Sequence, residues 1–296
     1  SNYYRQVVQK LESAADNGGL WDANKYTEYA RVILALTSIG YDPTDVAGYN
    51  LLEMLTDMNN IERQGINGPI WALIAFDSGD YAIPQTSGSV DPVTREKLIA
   101  SILAKQLAGG GWALTGDAAD PDLTAMAIQA LAPYYDANPE VKAAVDQALD
   151  CLSRLQLSNG GFISQGEANL ESCAQVIVAL TALGINPATD ERFVKENGNP
   201  VSALLAYALE NGGFQHTLAH NEQNGMASEQ GTYALVAYDR FLNGKTSLYD
   251  MSDVVKIQNP SEPETEEKDV TLVDVNGSGV TVTGKESVLN ENMELE

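Results

Sequence analysis

Apolar positions recur with helical spacing almost throughout residues 2–255. The pattern predicts helices over 3–15, 25–39, 46–59, 69–78, 92–107, 122–136, 139–157, 170–183, 200–210 and 228–242. The punctuation agrees. Gly40 and Pro43 stop the second helix, and Gly184 and Pro187 end the eighth as a C-terminal glycine and trailing proline should. Segments 3–15, 92–107 and 139–157 carry Lys, Arg, Glu and Gln on one face and read as outer helices with a wet side. Segments 122–131, 172–183 and 230–237 are rich in Ala, Leu and Val almost all round. They read as inner helices, buried by neighbours on several sides.

A unit recurs along this pattern, about every fifty residues: a Gly-Gly turn with an aromatic, a polar loop, then an Ala-rich helix that opens on an acid. Gly18-Gly19-Leu20-Trp21 leads to Glu28, and Gly110-Gly111-Trp112 to Asp120-Pro121-Asp122. Gly160-Gly161-Phe162 leads to Glu171, and Gly212-Gly213-Phe214 to Glu229. Asn67-Gly68-Pro69 is a degenerate copy. One outer–inner hairpin cannot bury its own apolar faces, so the hairpins stack side by side. With curvature they close into an α/α toroid, which makes the predicted fold all-α with five to six helical hairpins. Segments 25–39, 69–78, 122–136, 170–183 and 228–242 supply five inner helices. A sixth pair would precede Ser1, or the ring is open or five-fold. The turn aromatics read as plugs between hairpins. The loop end becomes a concave mouth carrying Glu28, Asp122, Glu171 and Glu229, the default place for a ligand.

The pattern changes after residue 255. Residues 256–269 read as an acidic, Pro-rich linker, and 270–296 as a β-hairpin or the start of a β module. The chain has 296 residues and a net charge of −24. Ten acids against two bases lie in 258–296, and the rest of the chain is acidic as well. No basic stripe exists, so nucleic-acid phosphates and anionic lipid are disfavoured partners. No apolar run is long enough to span a membrane. The opening Ser1-Asn2-Tyr3 reads as a trimmed start, so the missing signal peptide says little about localisation.

At this level the chain resembles a known superfamily. Gln106 followed by Trp112 across the Gly110-Gly111 turn, with Gln156 and Phe162 as a weaker copy, is similar to the repeat of squalene and terpene cyclases. Asp120-Pro121-Asp122-Leu123-Thr124-Ala125 resembles the Asp-x-Asp-Asp-Thr-Ala motif of class II cyclases, with Leu123 in place of the last Asp. Asp122-Leu-Thr-Ala-Met-Ala also resembles helices of transcobalamin and intrinsic factor, which hold cobalamin between an α/α barrel and a small β domain. The strongest resemblance is to prenyltransferase/squalene-oxidase-repeat proteins of Gram-positive cell surfaces. It covers residues 2–255 and implies the toroid and an extracellular or cell-surface bacterial location.

The candidate chemistry divides as follows. A cyclase would use Asp122 as the proton donor beside Asp120, but Leu123 removes a carboxyl from that cluster. Acids at several helix starts fit a helix-dipole role instead, with Asp120 as N-cap and Pro121 at the first position. A prenyltransferase zinc set is incomplete at Glu171 and Cys173. Asp117 and Asp120, with Asp122, are weak Ca²⁺ candidates, and His216 and His220 are weak metal candidates in a loop. Cys151 and Cys173 read as packed free thiols, with a disulfide as the alternative. No metal and no cofactor is expected, though the resemblance admits a cobalamin-like ligand.

The resulting expectation is a non-catalytic binding or adhesion module, monomeric, taking a small molecule, protein or glycan at the ring mouth. Its ligand-binding residues are Glu28, Trp112, Asp122, Glu171, Glu229 and Tyr233. The alternatives are a cyclase-like or prenyltransferase-like enzyme using Asp122, and a structural spacer whose centre is plugged by Met126, Tyr134 and Tyr233.

Overall fold

A computed structural model describes residues 1–210 and 212–260, and the backbone of 267–273 and 279–285. The protein is mostly α-helical. The helices are α1 (Asn2–Ser13), α2 (Tyr26–Ser38), α3 (Met58–Ile61), α4 (Asn67–Ser78), α5 (Arg95–Ala104), α6 (Pro121–Leu131), α7 (Pro139–Leu155), α8 (Leu170–Ala182), α9 (Pro200–Leu205) and α10 (Gly225–Leu242). Two antiparallel pairs of strands accompany them: β1 (Ile163–Ser164) with β2 (Glu167–Ala168), and β3 (Glu267–Val273) with β4 (Gly279–Lys285). The rest of the predicted linker and β module lies outside the described residues.

The even-numbered helices form a row in which α2 packs on α4, α4 on α6, α6 on α8 and α8 on α10. A second layer covers them, with α5 on α4, α7 on α6 and α9 on α8. Burial follows from this placement. Of the thirteen residues of α8, twelve are buried, which requires apolar or small residues on every face. By contrast α7 buries only the stripe Val141, Ala144, Val145, Ala148, Leu149, Cys151 and Leu152.

The turns between layers are built alike. Leu107 N–H donates to Gly111 O, Leu157 N–H to Gly161 O and Leu209 N–H to Gly213 O. The side chain of Gln106 donates to Gly110 O and to Ala144 O, both at 2.8 Å. Gln156 does the same for Gly160 O and Phe193 O. Each glutamine thus ties its turn to the next hairpin, which is why it belongs to the repeat. Gly160 has φ +89°, and a Cβ there would lie 2.4 Å from Asn199 O, so no other residue fits.

Several expectations need correction, among them the helix 200–210, which ends at Leu205. The predicted helix 46–59 is instead a 3₁₀ turn, Leu51–Leu55, followed by the short α3. Asn50 caps the first through Leu52 N–H and Asp57 caps the second through Asn59 N–H, so two N-caps interrupt one apolar run. The 122–136 helix ends at Leu131, where Pro133 removes a donor and a 3₁₀ turn takes over. Finally, α10 is not buried on several sides: only Ala227, Gly231, Ala234 and Ala237 are buried. It ends the row and has α8 as its principal helical neighbour.

After α10 the chain runs back across the helix ends. Met251 N–H donates to Ser78 O at the end of α4, and Ile257 N–H to Gly40 O after α2. The Asn259 side chain then clamps Asp42 and Asp45 by donating to both carbonyls.

Candidate functional site

The inner-helix starts are set by short polar caps. Asp120 Oδ1 accepts from Asp122 and Leu123 N–H, Asn169 from Ser172 N–H, and Asn224 from Ala227 N–H. Thr124 and Ser228 hydroxyls accept from the N–H of the turn aromatics Trp112 and Phe214, joining each turn to the helix after it. This framework holds the acids that open the helices. Asp122 and Glu171 both stand two residues past their cap. Glu229 does not match them. Because α10 starts at Gly225, Glu229 sits one turn deeper.

All four predicted mouth acids nonetheless line one cavity of 1020 Å³. It lies between α2, α4, α6, α8 and α10, along their N-terminal halves except on α2, which it follows down to Ser38. Trp71, Tyr233 and Tyr249 are its aromatic walls, and Met126, Met226 and Met251 add thioethers. Trp71 and Tyr249 meet edge to face, with ring centroids 6.0 Å apart and planes at 89°. The β1–β2 hairpin brings Ser164, Gln165 and Glu167 to the wall.

Two carboxylates there are buried beyond their hydrogen-bond supply. Glu171 is 6% exposed. Its Oε2 meets His216 Nδ1 at 2.7 Å, and its Oε1 has no partner. Asp122 Oδ1 is buried and unpartnered as well. Burial pushes the Asp122 carboxyl up to about 6, with Asp120 and Glu171 adding repulsion and the Ser172 and Ser164 hydroxyls pulling it back. Asp120 is held apart from this role: one oxygen caps α6 and the other accepts from Ser164 Oγ at 2.6 Å. Behind the acids runs a polar relay. Gln129 donates to the Gln175 side chain at 3.0 Å and Gln175 donates to Gln230 at 2.9 Å, while the Tyr233 hydroxyl contacts both Gln175 and Gln230.

No protein-family model and no curated protein matches the chain.

A second cavity of 910 Å³ lies along the C-terminal halves of α4, α6, α8 and α10, lined by Ile74, Gln129, Val178 and Ala237 among others. Leu248 and Tyr249 line both cavities and so stand between them. Of the predicted plugs, Met126 and Tyr233 line the first cavity and Tyr134 the second, and the dividing residues belong to the segment after α10.

Trp112 is the one expected ligand-binding residue that does not line the first cavity. It is fully buried, donates through its indole to Ile102 O at 2.8 Å, and lines neither of the two cavities. It is a core plug, as are Phe162 and Phe214. The metal candidates do not converge. Asp117 is exposed in its loop, and His220 contacts Thr217 while His216 contacts Glu171. Among the described residues no three of His, Cys, Asp and Glu are grouped to hold a metal ion. Cys151 and Cys173 are buried free thiols, and burial pushes Cys173 up to about 12. No helix among the described residues is long and apolar enough to cross a membrane.

Sequence reading missed Arg31, Trp71, Glu167, Gln175 and Tyr249 as lining residues. Arg31 and Gln175 lie one helical turn beyond the acids Glu28 and Glu171, so the i, i+3 and i, i+4 positions after each acid were the available signal. Nothing in the sequence announces Tyr249, which arrives from the returning segment.

Proposed function

We propose that residues 2–255 form an α/α toroid serving as a non-catalytic binding module of an extracellular or cell-surface bacterial protein, with the 1020 Å³ cavity as its ligand site. The observation that carries this is the convergence of Glu28, Asp122, Glu171 and Glu229 from four separate helices on one cavity with aromatic walls. Acids needed only as helix-dipole partners have no reason to face a common space. The open cavity tells against a spacer, which needs a filled centre. The resemblance to prenyltransferase/squalene-oxidase-repeat proteins supports the ring and the cell-surface setting. A cobalamin-like ligand is one candidate, and an absorbance titration with cobalamin tests it directly.

A second reading is a cyclase-like enzyme using Asp122. It is favoured by Asp122, whose Oδ1 is buried and unpartnered and whose proton is held to about pH 6. Against it, Asp122 shares the cavity with other carboxylates, whose negative charge makes it a weaker acid than alkene protonation requires. The two readings separate in one experiment. A ligand screen by thermal shift, run beside turnover assays on polyprenyl and polyene substrates, should give ligand-dependent stabilisation without turnover. Turnover that disappears in Asp122→Asn would replace the binding module with the enzyme.

A further inference from the structure

Resting on that binding-module reading, we infer that the ligand of the 1020 Å³ cavity is an aliphatic di- or polyamine, held by its ammonium groups at Glu171, Asp122 and Glu229 and by its methylenes against Trp71 and Tyr249. Three independent features of the walls select this chemistry.

The first is charge. Glu28, Asp122, Glu167, Glu171 and Glu229 face the space, against the single guanidinium of Arg31. Arg31 already lies 3.6 Å from Glu28. The imidazole of His216 is engaged by Glu171. Inner-helix N-termini oppose a cation with roughly half a positive charge each, an amount the five carboxylates outweigh.

The second is the hydrogen-bond ledger. Glu171 Oε1 and Asp122 Oδ1 are buried acceptors without a donor, and each such atom costs about 1–3 kcal/mol. The Glu171 side chain is 7% exposed, so bulk water does not relieve it. N–H donors are what both side chains lack, and both residues line the cavity. A carboxylate or phosphate brings acceptors to a wall that has a surplus of them. A ring of hydroxyls supplies donors but leaves the negative charge uncompensated.

The third is shape. Acids stand on four helices around the space instead of at one point, which suits several ammonium groups separated by methylenes. Trp71 and Tyr249, packed edge to face, form an apolar stretch of wall against which a methylene chain can lie. A cation over the tryptophan face gains a further cation–π attraction.

The test is calorimetry on the full chain with spermidine as probe, in buffer of physiological ionic strength. A single site is expected. Glu171→Gln should weaken it about tenfold or more. Glu229→Gln, at an exposed position, keeps the fold and should weaken it about threefold. Glu140→Gln, an exposed acid of α7 remote from the cavity lining, should leave the affinity unchanged. Absence of binding, or equal weakening by Glu140→Gln, overturns the inference, because the second result is general attraction to an acidic surface. A neutral polyol and a dicarboxylate are titrated in parallel. Binding of either one without spermidine binding overturns the amine and leaves the binding module intact. Failure of all three, with no rise in melting temperature across the ligand screen, removes the binding module as well.

Discussion

Two partly buried aspartates at opposite ends of the inner helices show how differently one side chain is treated. Asp77, at the end of α4, has a partner for each oxygen: Arg95 Nε donates to Oδ1 at 2.7 Å and the Tyr134 hydroxyl to Oδ2 at 2.8 Å. The same guanidinium also caps the helix by donating to Phe76 O and Tyr81 O. Asp122, at the start of α6, has Oδ1 buried with no partner at all. Burial raises both carboxyls, but Arg95 and Tyr134 offset it at Asp77, whereas Asp120 and Glu171 reinforce it at Asp122. A buried charge that is paired and hydrogen-bonded serves the fold. One that is left incomplete is a cost to the fold, and it is tolerated where something else completes it. Asp77 at the C-terminal end is thus completed within the fold, whereas Asp122 at the N-terminal end is left incomplete beside the proposed ligand site.

The largest test of this contrast is Arg95→Ala. It leaves Asp77 without its ion partner and takes one donor each from Phe76 O in α4 and Tyr81 O just beyond it. The pair is about three-quarters or more buried, so the expected loss is about 3 kcal/mol in urea unfolding. Asp122→Ala should cost less than about 1 kcal/mol, because it has no ion partner to strand and its buried Oδ1 accepts no hydrogen bond. Equal losses at the two ends would erase the distinction.

The next test uses pH. Asp122 is raised in the folded state, from 3.8 to about 6. In that window the native protein keeps a proton that the unfolded chain has released, so this group's contribution to stability falls as pH rises. The full effect is about 3 kcal/mol, of which about 2 develops between about pH 4 and about pH 6; it is complete above about pH 7 and absent below about pH 3. Asp122→Asn should remove the slope and make the protein more stable than the parent at neutral pH. Unfolding of both proteins across this range checks it, and identical slopes would mean that Asp122 is solvated in solution.

Much of this was legible in the chain, for identifiable reasons. Helices α1, α2, α6, α7 and α8 follow from apolar periodicity and from caps that act within a few residues. The acids Glu28, Asp122, Glu171 and Glu229 were visible because a repeat places equivalent residues on equivalent helices. Repeat logic also misled: it aligned Glu229 with Asp122, although Asn224 starts α10 a turn earlier. It gave α10 the burial of α8, but a terminal element lacks the neighbour that makes a middle one inner. The Glu171–His216 contact spans 45 residues, and Tyr249 reaches the cavity on a segment outside the repeat. Contacts of that kind depend on how the elements assemble, and no local pattern encodes them. The Gln165-Gly166 turn of the β1–β2 hairpin was missed for a simpler reason. Both residues have positive φ, yet Gln is not among the residues that usually signal it.

The smallest effects sharpen the contrast from the other side. If the N-terminal acids serve a ligand, the folded protein should hardly notice their loss. Glu28 and Arg31 are 3.6 Å apart with side chains 41% and 61% exposed, a geometry in which an ion pair contributes about 0.3 kcal/mol. Glu28→Gln forgoes that amount and at the same time removes one of several like charges around the cavity. The two terms oppose each other, so the net change should stay within about 0.5 kcal/mol. Glu229→Gln, exposed and without a basic partner among the described ion pairs, should sit at or slightly above parental stability. High salt screens the repulsion that Glu229→Gln relieves, so its advantage should shrink as salt rises. A loss above about 1 kcal/mol in either variant would make these acids part of the fold after all, and the two ends of the helix row would then be built on the same principle.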